Sequence, residues 1–109
     1  MKSVLAFTFS LLMAGPVYSK SLNCVEWADL AVVQRRTFEL SNEVVQEFNY
    51  GKVLNGKVDV ELIWSDSPDQ VEIQMTKNGL KFSTAGTGEA EIDVSDGSRY
   101  SQVTCYTTK

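Results

Sequence analysis

Pairs of carboxylates spaced two residues apart are the feature of this sequence that could do chemistry. Asp59 and Glu61 form one such pair, and Glu91 and Asp93 form another. Side chains two apart on a β-strand point to the same face, so each pair would bring two carboxyl groups together. Acid-base or glycosidic catalysis needs two carboxyls with separated pKa values beside a substrate cleft. The pairs are catalytic only if the fold supplies that cleft.

The chain contains no histidine, which removes most other small-enzyme mechanisms. Without imidazole there is no Ser-His-Asp or Cys-His pair and no metal site that needs this ligand. The segment Gly86-Thr87-Gly88 lacks the third glycine of a phosphate-binding motif. Residues 93–97 have oxygen ligands spaced as in a calcium loop but no closing glutamate. We therefore predict no catalytic residue, no metal and no cofactor.

The N-terminus has the parts of a secretory signal peptide, which are a lysine, a short apolar run and small residues after Gly15-Pro16. The run is shorter than the roughly 20 residues that a transmembrane helix needs. We predict cleavage after Ser19, with Ser21 as the alternative. Residues 1–19 are then the signal peptide, and residues 20–109 form a single domain that is secreted or periplasmic.

Two cysteines in an exported chain predict one structural disulfide between Cys24 and Cys105. The bond would close nearly the whole domain into a loop, which is worth about 4 kcal/mol in the chain-entropy model. We expect this structural role rather than a pair of reactive thiols.

The charge balance excludes polyanionic partners. The chain has 10 basic and 14 acidic side chains, a formal net charge of −4, and no dense basic patch. Nucleic-acid and anionic-membrane binders need the opposite balance. We predict no nucleic-acid partner and no membrane insertion after signal cleavage, and leave the oligomeric state open.

Residues 23–50 contain no glycine or proline and are rich in helix-forming residues. Asn23 followed by Glu26 fits a capping box, and Gly51 fits a helix C-terminal stop. On a helix, one third of the circumference would carry the apolar side chains Trp27, Leu30, Ala31, Phe38, Val45 and Phe48. Ser41-Asn42 would divide the segment into two helices.

After this segment the apolar period changes from 3.6 to 2, which predicts antiparallel strands. Hairpin turns are marked by Asn55-Gly56, Asn78-Gly79 and Asp96-Gly97. A two-residue turn at Asn78-Gly79 would place Met75 opposite Phe82 on the apolar face. Residues 84–88 are expected to form a loop of small residues.

These elements predict an α+β fold, in which one or two N-terminal helices pack on one face of a four- or five-stranded antiparallel β-meander. The alternative is a small all-β sandwich in which residues 31–50 supply two more strands. Val32-Val33 and Val44-Val45 favour the sandwich. The lack of turn residues other than Ser41-Asn42 disfavours it.

Two short segments resemble known families of small envelope proteins. Gly97-Ser98-Arg99-Tyr100 resembles the tyrosine-ending loop of periplasmic lysozyme inhibitors, which are disulfide-stapled β proteins. Asp96 replaces a serine of that loop, and the chain ends before the family's tryptophan-rich segment. Residues 94–97 look like a stretch of curli-assembly accessory proteins, which are small exported β-sandwiches. No site residue is carried over from either family.

The polar face of the predicted sheet is the candidate binding site, and its acidic residues are Asp59, Glu61, Glu72, Glu91 and Asp93. Because a solvated face offers neither burial nor a cleft, we expect it to attract a basic protein rather than to catalyse. The predicted function is an exported, non-catalytic protein-binding module, which includes inhibitors, envelope assembly accessory factors and secreted effectors.

Two other classes of function remain as alternatives. A small carbohydrate-binding protein or carboxylate-dependent hydrolase would use the acids together with Tyr100, Tyr106 or Trp64. This class requires a concave site with a buried carboxylate. A structural envelope component would instead associate with copies of itself.

Overall fold

The structure, a computed structural model, describes residues 20–66 and 68–108, so the predicted signal peptide at residues 1–19 lies outside the described residues. The described chain forms eight β-strands and no helix. The strands are β1 (Ser21–Ala28), β2 (Ala31–Glu39), β3 (Val45–Val53), β4 (Val58–Ser65), β5 (Gln70–Lys77), β6 (Leu80–Thr87), β7 (Glu89–Ser95) and β8 (Tyr100–Thr108).

The strands build two antiparallel sheets of four strands each. The first sheet has the order β2-β1-β8-β7, and the second has the order β3-β4-β5-β6. The first two strands belong to the first sheet, the next four form the second sheet, and β7 and β8 complete the first. The first sheet therefore depends on the pairing of β1 with β8, which joins the two ends of the described chain.

The predicted α+β fold with N-terminal helices is wrong, and the alternative all-β sandwich is the observed architecture. Residues 31–50 supply β2 and most of β3, as that alternative requires. Asn23 and Glu26 lie in β1 and form no capping box. The β-branched valines of this segment suit a pleated strand better than a helix.

The turn between β1 and β2 explains why the helix pattern looked continuous. Asp29 and Leu30 have φ values of 50° and 72°, which is the pair of left-handed residues that a tight hairpin turn requires. A leucine seldom adopts this conformation, because its Cβ crowds the backbone. The turn therefore carries none of the glycine or asparagine-glycine signals that mark the other hairpins.

Gly51, predicted to end a helix, instead lies inside β3 with a φ of 122°. The register with β4 shifts between Asn49 and Gly51, which marks a β-bulge. The extra residue lets Tyr50 and Val53, which are three positions apart, both be buried, at 1% and 2% exposure. A regular strand would place them on opposite faces.

The turns predicted at the Asn-Gly and Asp-Gly pairs are present between β3 and β4, β5 and β6, and β7 and β8. Met75 pairs with Phe82, which confirms the predicted register. The loop predicted for residues 84–88 is wrong, because β6 continues to Thr87 and only Gly88 separates it from β7. A Cβ on Gly86 would lie 2.1 Å from the carbonyl oxygen of Glu89, so the small residues there allow two strands to approach closely.

The core lies between the two sheets, where alternate residues of the strands point inward. Its largest fully buried side chains are Trp64, Tyr50, Leu22, Leu62, Ile73 and Met75. The predicted disulfide between Cys24 and Cys105 is present, and it joins residues that pair directly across β1 and β8. This bond links the first and last strands inside the core.

The outer strands β2 and β3 lie along one flank of the sandwich. Side chains rather than backbone pairing connect them: Arg36 Nη1 donates a hydrogen bond to the Tyr50 carbonyl oxygen, and the rings of Phe38 and Phe48 have centroids 5.0 Å apart. These contacts close the flank over the core.

Candidate functional site

The five predicted binding residues lie on two outer faces that point away from each other. Asp59 and Glu61 on β4 and Glu72 on β5 belong to the second sheet. Glu91 and Asp93 on β7 belong to the first sheet. The structure therefore brings three of these residues together and places the other two on the opposite side of the sandwich.

A further carboxylate joins the acids of the second sheet. Glu47 on β3 pairs with Ile63, and Ile63 pairs on its other side with Glu72. Glu61 lies two residues from Ile63 on the same face. We call Glu47, Glu61 and Glu72 the acid triplet. Sequence reasoning missed Glu47 because it assigned this segment to a helix, and the alternation of β3 was the only available signal.

The acid triplet surrounds an apolar centre. Ile63 is only partly buried, and a shallow depression of about 200 Å³ runs beside it, lined in part by Glu47 and Glu61. The surface thus combines an aliphatic centre with carboxylates around it. Such a surface suits a long cationic side chain, whose stem is apolar and whose head is charged.

The acid triplet forms no salt bridge with the part of the chain that the structure describes. In the described residues the salt bridges join Lys20 to Asp66, Lys52 to Asp59 and Lys57 to Asp96. Asp59 is thus paired, whereas no member of the triplet forms a salt bridge. Glu72 accepts a 3.0 Å hydrogen bond from Gln74 Nε2, a neutral donor.

A second concave site, the end pocket, lies where the β1–β2, β3–β4 and β7–β8 turns meet. Its volume is about 260 Å³, and its polar lining residues are Glu26, Asp29, Asn55, Arg99, Tyr100 and Ser101. Glu26 is 8% exposed and Ser101 is 2% exposed. Except for Tyr100, none of these residues was predicted as a site residue, because the turns that bring them together are far apart in the chain.

Burial dominates the electrostatics of Glu26. Tyr50 donates a 3.1 Å hydrogen bond from Oη to Glu26 Oε1. Loss of solvent raises the pKa of Glu26, and the tyrosine bond only partly opposes this shift. The pKa of Tyr50 is also raised, first by burial and then by the Glu26 charge, so the phenol remains a hydrogen-bond donor.

No cation neutralises the Glu26 carboxylate among the described residues. The Arg36 guanidinium lies 5.5 Å from the Tyr50 ring centroid and donates a hydrogen bond to the Tyr50 carbonyl oxygen. Its contacts are therefore with Tyr50 rather than with Glu26. Apart from the Tyr50 bond, no hydrogen bond from residues 20–66 or 68–108 reaches the Glu26 carboxylate or the Ser101 hydroxyl. The end pocket thus contains two buried polar groups with unused bonding capacity.

The substitution Glu26→Gln is expected to stabilise the protein more at pH 7 than at pH 4.5, in each case relative to the wild type. The glutamine carbonyl oxygen can still accept the Tyr50 bond, while the desolvated charge is removed. A carboxyl whose folded-state pKa is raised contributes most to the free energy of unfolding at pH values below its unfolded-state pKa. This contribution is lost as the pH rises through the folded-state pKa. Urea unfolding at both pH values should show a stability difference in favour of the variant that grows with pH. A difference independent of pH would contradict this account.

The aromatic residues predicted for sugar binding are dispersed. Trp64 is 1% exposed, and its Nε1 donates a 2.7 Å hydrogen bond to Asp69. Tyr106 is 39% exposed on the outer face of the first sheet, and Tyr100 lines the end pocket. Trp64 is therefore a core residue rather than a stacking platform.

The described residues contain neither a metal-ligand cluster nor a membrane-spanning helix. No group of three or more acidic or cysteine side chains in residues 20–66 and 68–108 is placed to hold a metal ion. No helix in the same part of the chain is long and apolar enough to cross a membrane.

The chain matches no family model, no curated protein and no solved structure. The short likenesses of residues 94–100 to lysozyme inhibitors and curli-assembly accessory proteins are therefore not extended by a match along the chain.

Proposed function

We propose that this protein is an exported, non-catalytic module that binds a basic protein through the acid triplet. The observation that carries the proposal is that Glu47, Glu61 and Glu72 surround the partly exposed Ile63, and that none of the three forms a salt bridge within residues 20–66 and 68–108. Export is supported by the disulfide, which is consistent with an extracellular or periplasmic location.

The chemistry of the acid triplet favours a lysine or arginine of the partner. The aliphatic stem of such a side chain would pack on Ile63, and its charged head would reach the surrounding carboxylates. Complementary charge also accelerates association and discriminates against acidic partners. Binding by this surface should therefore weaken as salt is added.

The acids of the first sheet provide a matched control. Glu89, Glu91 and Asp93 alternate along the outer strand β7, and Glu91 accepts a 2.7 Å hydrogen bond from Gln102 Nε2. The side chains between them on β7, Ala90 and Ile92, are buried and face the core. This row therefore has comparable charge, but its exposed neighbour Tyr106 on β8 pairs with Glu89 on one side and with Asn23 on the other, so it is not flanked by carboxylates on both sides.

Reversing the charge of the acid triplet is expected to weaken partner binding by about 100-fold at low salt, because like charges across an interface cost several kcal/mol. The variant is Glu47→Lys/Glu61→Lys/Glu72→Lys. The control Glu89→Lys/Glu91→Lys/Asp93→Lys makes the same change in net charge on the other face and should lower affinity only slightly.

The measurement begins with capture from envelope and extracellular extracts by the oxidised wild type and by both variants. A basic protein retained by the wild type and the control, but not by the triplet variant, is then purified for titration at low and high salt. Equal losses in both variants would assign the effect to net charge alone. Full retention by the triplet variant would exclude the proposed surface.

A further inference from the structure

The end pocket combines a buried carboxylate with an opening to solvent, and it is separate from the acid triplet. Glu26 lies at its base with 8% of its surface exposed, and the turns at residues 54–57 and 96–99 contribute to its rim. An ionised carboxylate at such a depth is costly unless a counter-charge and hydrogen bonds compensate it. The described protein supplies one neutral hydrogen bond, from Tyr50.

We propose that the end pocket binds a primary ammonium group, carried by a small free amine or by a lysine side chain. An ammonium group has three donors and no acceptor. Two buried lining residues carry acceptors of the matching kind, the second carboxylate oxygen of Glu26 and the hydroxyl of Ser101, and the exposed lining residue Asn55 carries an amide oxygen. The ligand provides the missing positive charge as well as the missing donors.

The contacts of Glu26 suit an ammonium group better than a guanidinium group. Bidentate pairing of a guanidinium with a carboxylate uses both oxygens in parallel. Oε1 of Glu26 already accepts the Tyr50 hydrogen bond, so one oxygen remains fully available. A compact ammonium needs only that one oxygen, and its remaining donors can turn to other acceptors.

The walls of the pocket suit the carbon chain of an amine. Ala28, Val33 and Leu54 line the cavity beside the polar base, so an alkyl stem would lie against apolar atoms while its head reaches Glu26. At the rim the exposed Asp29 and Arg99 have opposite charges, and solvent screens both of them. The uncompensated charge at the base therefore dominates recognition.

Titration of the oxidised protein with n-butylammonium chloride tests this proposal, and n-butanol serves as the uncharged probe. Binding is followed through the backbone amide signals of Ala28 and Ser101. We expect butylammonium to shift these signals and butanol to leave them unchanged. Glu26→Gln should weaken butylammonium binding at least about tenfold, because it removes a charge-assisted hydrogen bond. Ser101→Ala should weaken it by a smaller factor.

The control is Glu89→Gln, which neutralises an exposed carboxylate at the far end of β7 and should leave the affinity unchanged. A blocked Gly-Lys-Gly peptide distinguishes the two sources of the ammonium group. Tighter binding of the peptide assigns the pocket to a lysine of a protein, and tighter binding of butylammonium assigns it to a free amine. The proposal is overturned if neither cation binds, if butanol binds as well as butylammonium, or if Glu26→Gln keeps the wild-type affinity.

Discussion

Removing the disulfide between Cys24 and Cys105 is expected to lower the free energy of unfolding by about 4 kcal/mol. The bond spans 81 residues, so it removes a large amount of conformational freedom from the unfolded chain. It also joins β1 to β8, the pairing that completes the first sheet. A loss of this size is a large share of the stability of a small domain.

Urea unfolding of the oxidised protein, the reduced protein and Cys24→Ala/Cys105→Ala measures this effect. The reduced protein lacks the cross-link but keeps both sulfur atoms in the core, whereas the double variant also loses their packing. The two should therefore be destabilised by similar amounts, with the double variant somewhat the less stable. A loss below about 1 kcal/mol in the reduced protein would show that the cross-link does not limit the unfolded chain as the loop model requires.

Truncating Trp64 is expected to cost about 4 kcal/mol, because a buried tryptophan replaced by alanine leaves a large cavity. The side chain lies in the core at 1% exposure. Its Nε1 also donates to Asp69 Oδ1 at 2.7 Å, and Asp69 Oδ2 accepts a 2.8 Å hydrogen bond from Thr107 Oγ1. Asp69 thus connects the second sheet, through Trp64, to β8 of the first.

The variant Trp64→Phe separates the cavity from the hydrogen bond. Phenylalanine fills most of the ring volume but cannot donate to Asp69, so its cost should be smaller than that of alanine, at about 2 kcal/mol. Thermal and urea unfolding of both variants give the comparison. Equal costs for the two substitutions would show that the contact with Asp69, rather than the packing of the ring, is what Trp64 contributes.

The strands from β4 onward, apart from the end of β6, follow from local features of the sequence, and the disulfide follows from its composition. The alternation from Val58 to Trp64 places every second residue in the core, because side chains on a strand point to opposite faces in turn. The turn at Asn78-Gly79 adopts the conformation that these residue types favour. With only two cysteines in the chain, a single intramolecular pairing is available.

Residues 23–50 show where local features fail. Their apolar residues are spaced as on one face of a helix. The turn at Asp29 and Leu30 contains no glycine, so the sequence does not mark it as a turn. What holds the start of this segment extended is long-range pairing, of β1 with β8. Such pairing depends on strands that are distant in sequence, so local propensity cannot reveal it.

The sequence alone determined which side chains of the strands from β4 onward face the core, the turn chemistry of the later hairpins and the pairing of the two cysteines. Only the tertiary structure decided which sheet each strand joins. That assignment separates Glu91 from Glu61, adds Glu47 to the acid triplet and brings Glu26 and Ser101 to one pocket. The physical reason is that alternation specifies the face of a strand on which a side chain lies, whereas the neighbours on that face depend on contacts between distant parts of the chain.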